Sequence, residues 1–225
     1  VLNCLRKLLA PVTQPRIRIV NQSKLVTAAE VAAAAAAIHV QVNRDFAPDW
    51  GKTATVTASR RRKPGDWIVV LADTIDVTGA LGYHNDLSLL PHAIVDVALC
   101  KQYGLNWTVT LSHEVLEMLG DPTCNLVMPY PGGKLVAYEA CDAVEADHYG
   151  YVINGVLVSD FQLQAWFTGH GTKYDFMGHL SKPLTLLPGG YISVHDSNGW
   201  HQVFAAETNG SARSARAYLS KRRPK

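Results

Sequence analysis

The chain has 225 residues, 48% of them hydrophobic and 18% charged, with a net charge of +2. That length supports one substantial core or two small lobes, and the composition is that of a globular rather than a disordered chain. The four cysteines are widely spaced with no C-x-x-C pair, which argues against a disulfide-built scaffold, and the small net charge does not call for nucleic acid. Basic residues cluster at 60–63 and 221–225 and read as a solvated loop and a basic, flexible tail over 206–225. No apolar run approaches the ~18 residues of a membrane helix, so no membrane partner is expected. Residues 1–9 are apolar but interrupted by Arg6 and Lys7, a poor secretory core, and the expectation is a soluble protein of open compartment.

In chain order, residues 16–20 alternate and predict a first strand. Thr27 and Glu30 form a capping-box pattern, with Val26 and Val31 spaced for a hydrophobic staple. They open a helix that runs through an alanine tract to about Val42. Residues 53–58 are rich in β-formers and residues 67–71 read as a short buried strand, separated by a loop ending in Pro-Gly-Asp. Residues 79–84 and 92–97 flank a polar turn and read as irregular strands. A helix is expected from about Asn106 to Leu119, with Gly120 as its C-cap and Pro122 as its stop.

Beyond that helix, residues 125–133 read as loop. Residues 135–145 mix apolar side chains with three carboxylates. Residues 151–158 form a hairpin pattern, with Asn154-Gly155 suited to a type I′ turn. Residues 161–167 read as a further strand or a short helix. Residues 188–203 read as a second hairpin turning at 197–199. Cys124 and Cys141 flank the segment after the helix and either pair or remain buried thiols. The fold class is α+β, with helices packed on one side of a mixed sheet and a loop- and hairpin-rich C-terminal lobe. The expected division is a single domain over 1–205, with lobes at about 14–122 and 123–205.

The chemistry concentrates in LSHEVLEMLGDP at 111–122. His113 and Glu117 are four apart and share one face of the helix, with Glu114 beside them. This is the H-E-x-x-H pattern with its last His replaced by Glu (HExxE). In the parent motif the i and i+4 residues hold a metal and the Glu activates water. The flanking Leu111, Val115, Leu116, Met118 and Leu119 place three ionisable groups within a mostly buried helix, which is costly without compensation, and a metal supplies it. A catalytic zinc takes three protein ligands. His113 and Glu117 are two, and the cluster Glu139, Asp142 and Glu145 offers the third, with Glu139 first and Asp142 as its alternative. Glu114 is the candidate general base. Tyr149, His148, Tyr174 and His84 are candidate oxyanion or substrate contacts.

The motif and the order of elements resemble the zincin metallopeptidases. The resemblance implies an N-terminal lobe of twisted mixed sheet with a backing helix, an active-site helix below it, and an edge strand just before that helix that aligns a peptide. Here that strand would come from residues 79–97. It carries His113 to the first zinc ligand and Glu114 to the base, and the branch with a downstream glutamate ligand supports Glu139. The same segment, followed by EACDAVE at 139–145 and NGVLVSDF at 154–161, also looks like a group of uncharacterised bacterial proteins. Glu117 departs from the family pattern and makes the site more acidic. The expected function is zinc-dependent hydrolysis of a peptide, amide or ester. Two alternatives stand beside it: a non-catalytic module stabilised by a metal, and a metal-free glycan hydrolase using a carboxylate pair.

Overall fold

A computed structural model describes residues 14–77, 80–85 and 90–205. The tail reading at 206–225 and parts of the predicted strand and turn at 79–91 lie outside the described residues.

The N-terminal half is built on a five-stranded mixed sheet. Its strands are β1 (Arg16–Asn21), β2 (Thr55–Ala58), β3 (Asp66–Ala72), β4 (Gly82–Asn85) and β5 (His92–Asp96), in the order β2-β1-β3-β5-β4. All neighbours run parallel except β4, which pairs antiparallel with β5 at the sheet edge. Arg16 and Arg18 on β1 both bind Asp66 at the start of β3, at 2.7 and 3.0 Å, locking the register of that pair. These contacts hold the Asp66 carboxyl below its ordinary value against the effect of its burial.

Helix α1 (Ala28–Val40) begins as its sequence predicts: Thr27 accepts from the Glu30 N–H and Glu30 accepts from the Thr27 N–H. It does not continue as a regular helix to Val42. A π-helical segment (Gln41–Phe46) and the short α2 (Ala47–Trp50) follow. The wider turn directs Gln41 to the Ser159 carbonyl and Asp45 to the Tyr151 hydroxyl, so two buried polar links decide the local winding.

Helix α3 (Val97–Gln102), capped by Asp96, leads into α4 (Trp107–Gly120), the motif helix. Gly120 is the last residue of α4 rather than its C-cap, a role taken by Asp121. A Cβ on Gly120 would stand 3.0 Å from the Trp50 ring, so glycine is there for close approach rather than for left-handed backbone.

The C-terminal half carries a four-stranded antiparallel sheet, β11-β10-β7-β6, from β6 (Val127–Tyr130), β7 (Lys134–Ala137), β10 (Tyr191–Asp196) and β11 (Gly199–Phe204). Residues 125–133 are therefore not all loop. Between these strands sit the hairpin β8 (Tyr151–Ile153) and β9 (Val156–Val158), turning through Asn154 and Gly155 with φ of 51° and 81°, and α5 (Gln164–Thr168). One apolar core joins the halves, from Ile17, Ile19 and Val69 through Leu111, Leu116 and Met118 to Phe161, Trp166 and Val194. The architecture is α+β. No helix among the described residues is long and apolar enough to cross a membrane.

Candidate metal centre

Every one of the last twelve residues of α4, from Val109 to Gly120, is buried. The helix is packed on all sides, so His113, Glu114 and Glu117 are enclosed rather than displayed on a solvated face. Three separate segments bring further ionisable groups to them. β4 carries His84, whose side chain is 7% exposed. The turn after β7 carries Glu139 and Cys141, and Asp142 opens a 3-10 turn (Asp142–Val144). That turn is fixed by backbone contacts: Gln162 N–H donates to the Ala140 carbonyl, and the Ala143 N–H donates to the Gln162 side chain.

The distances are short and mutual. His113 Nε2 is 3.1 Å from Glu117 Oε2 and 3.4 Å from Asp142 Oδ1. His84 Nδ1 is 3.5 Å from Glu114 Oε2 and 3.8 Å from Glu117 Oε2, while its Nε2 is 3.7 Å from Glu139 Oε2. Glu117 Oε1 accepts the Cys141 N–H at 3.1 Å. Gly82 makes the fit on the β4 side possible, because a Cβ there would stand 2.8 Å from Glu114 Oε1.

The electrostatics follow from enclosure. Burial, together with Asp142 and Glu139, outweighs His113 and pushes the Glu117 carboxyl up to about 8. Burial opposes charging of both histidines, yet the neighbours of His84 (Cys124, Glu114, Glu139) and of His113 (Glu117, Asp142) win and raise both well above the usual imidazole value. Burial, then Glu117 and Asp142, raises the Cys141 thiol.

Among the described residues, two sets of donors could hold a metal ion: His113, Glu117 and Cys141, and His84, Glu117 and Glu139, with the ligand atoms of each set within 4.8 Å of one another. Among the described residues nothing hydrogen-bonds the buried His84 Nε2, and Asp142 Oδ1 has only the 3.4 Å approach of His113 Nε2. Buried polar atoms left in this way mark a place for a ligand. Comparison with family models, curated proteins and solved structures finds no match. The geometry of the cluster is therefore the basis for any functional reading.

His113, Glu114, Glu117, Glu139 and Asp142, the residues picked out in the sequence, all come together. Asp142 is the carboxylate that faces His113, and Glu139 faces His84. His84, expected as a substrate contact, sits inside the cluster. Cys141 was read only as a thiol, and its position between Glu139 and Asp142 is the signal that could have marked it. It is free, as is Cys124, whose Sγ lies 3.6 Å from the His84 carbonyl. The Tyr149 ring packs at a tilt against His148 and His179, and the Tyr174 hydroxyl donates to the Gly171 carbonyl. Among the contacts of the described residues, neither tyrosine reaches the cluster.

Proposed function

We propose that the chain is a zinc-dependent hydrolase of the zincin type that cleaves a peptide, amide or ester bond. The observation that carries this reading is the convergence of two imidazoles and four carboxylates in a buried cluster with unsatisfied donor atoms. The donor set fits zinc, which accepts imidazole nitrogen, carboxylate oxygen and thiolate sulfur. His113 and Glu117 would hold it, with Asp142 as the third ligand because it shares the His113 nitrogen, and Glu139 as the alternative. Zinc there supplies a Lewis acid that acidifies water, less strongly beside carboxylates than beside neutral imidazoles.

The chain's own residues do the rest. Glu114 follows His113 directly and accepts a proton from the attacking water, then returns it to the leaving group. His84, 3.5 Å from Glu114 Oε2, holds that carboxylate in position. The edge strand β4 leaves one side unpaired by the sheet, which suits an extended substrate chain. The order of elements supports the zincin reading: a mixed sheet with an antiparallel edge strand precedes the motif helix.

The test joins metal content to turnover. Protein purified without a metal-affinity tag should contain zinc and hydrolyse a fluorogenic peptide pool, and chelation should abolish that hydrolysis. Glu114→Gln should retain zinc and lose roughly 10²- to 10⁴-fold in rate. A wild-type protein without metal, or full activity in E114Q, overturns the proposal.

A further inference from the structure

One ion leaves donors over. An ion at His113, Glu117 and Asp142 engages one imidazole and two carboxylates, and His84, Glu139 and Glu114 remain within the same buried cluster. Four carboxylates converge there, and an ion at His113, Glu117 and Asp142 leaves Glu114 and Glu139 facing His84 at 3.5 and 3.7 Å. The spacing of the donors is informative. Ligands on a tetrahedral zinc with bonds of about 2.0–2.2 Å stand roughly 3.3–3.6 Å from one another. His113 Nε2 stands 3.1 Å from Glu117 Oε2 and 3.4 Å from Asp142 Oδ1, at or slightly inside that spacing. His84 Nε2 with Glu139 Oε2, at 3.7 Å, lies just outside it at a separate place in the cluster.

Glu117 belongs to both sets. Its Oε1 is occupied by the Cys141 N–H, its Oε2 lies 3.1 Å from His113 Nε2 and 3.8 Å from His84 Nδ1, and a Glu117 oxygen is within 4.8 Å of ligand atoms of both His84 and Glu139. A carboxylate shared in this way suits two metals about 3.5–4 Å apart. The side chains of His84, Glu117 and Glu139 are each less than a tenth exposed, and His84 Nε2 has no hydrogen-bond partner among the described residues. We infer that the cluster binds two divalent cations that share Glu117, the second held by His84 and Glu139. The inference rests on reading the cluster as a metal centre. It gives Glu117 the purpose that the parent motif's histidine cannot serve, since a carboxylate oxygen bridges two ions and an imidazole nitrogen does not.

The experiment counts ions. Apo-protein made by chelation is reloaded with zinc, desalted and measured by elemental analysis against protein concentration. The wild type should hold about two zinc ions per chain and His84→Ala about one. One zinc in the wild type overturns the second site and leaves the hydrolase reading standing, and none overturns both. Two zinc ions in both proteins overturn the assignment to His84. Should circular dichroism show H84A unfolded, wild-type protein loaded with Mn²⁺ replaces it. An exchange-coupled pair in its electron paramagnetic resonance spectrum supports the inference, and the spectrum of isolated ions overturns it.

Discussion

Two sets of buried carboxylates in this molecule are handled in opposite ways. Asp160 and Asp175, in the C-terminal half, are fully enclosed and face each other. Four backbone N–H groups serve them: those of Phe161 and Met177 donate to Asp160, and those of His179 and Leu180 donate to Asp175. Burial and then the Asp175 carboxylate push Asp160 up to about 9, so one proton is shared between the two. These contacts tie residues 175–180 to the strand-like segment at 160–162. Glu117, by contrast, takes a single backbone N–H and turns its other oxygen to imidazoles. The first pair is held chiefly by backbone N–H groups, and the second acid is surrounded chiefly by side chains that could serve as metal ligands.

The sharpest way to break that contrast is to vary the metal. Zinc at about a thousandfold over its dissociation constant should stabilise the wild type by about 4 kcal/mol in urea denaturation. In Glu117→Gln that gain should vanish. The metal-free variant should be at least as stable as the metal-free wild type, because one of several crowded carboxylates is gone. A zinc-independent loss of stability in E117Q would show that Glu117 is architecture after all.

Asp160 should behave in the reverse sense. Asp160→Ala strands two buried N–H groups and should cost roughly 2–4 kcal/mol with or without zinc. The pair also sets a pH dependence. The folded-state value of Asp160 is raised above its ordinary 3.8, so its stabilisation is full below about pH 4 and is lost as pH rises through about 9. Urea midpoints should therefore fall between pH 6 and pH 10, and Asp160→Asn, which keeps a neutral donor beside Asp175, should flatten that fall. An unchanged slope in D160N would remove Asp160 as its source.

The smallest effect concerns Gly82. Its missing Cβ leaves room for Glu114 Oε1, and the Ile94 carbonyl closes the space at 3.0 Å. Gly82→Ala should keep zinc and fold while lowering turnover by about 10- to 100-fold, through displacement of the Glu114 carboxylate. Loss of zinc in G82A would mean that β4 positions the metal ligands instead.

Much of this arrangement was legible in the residues because it depends on short-range rules. The capping box at Thr27 and Glu30, the Asn154-Gly155 turn and the helical spacing of His113, Glu114 and Glu117 are local patterns with one geometric solution. His84 was harder to assign because its strand has four residues and its role comes from Glu114, Glu117 and Glu139, all far along the chain. The strand β6 was hidden by Pro129, which argues against a strand interior. β6 lies at the edge of its sheet, where the missing N–H is tolerated. The choice between Asp142 and Glu139 beside His113 was not open to spacing rules. It depends on the 3-10 turn, which Gln162 fixes from another segment.

Gly120 bears on the rigidity of the candidate metal centre. By admitting the Trp50 ring against the end of α4, it joins that helix to a stack of aromatic rings, Phe46 on Trp50 and Tyr138 and Phe167 beyond it. The turn of helix carrying Glu117 is thus wedged from behind. A flexible ring of oxygens adapts to large cations, whereas donors held against an aromatic wall keep one spacing. The protein would then discriminate by ionic radius, accepting zinc or manganese and refusing calcium, and the discriminating element would be an indole rather than any ligand.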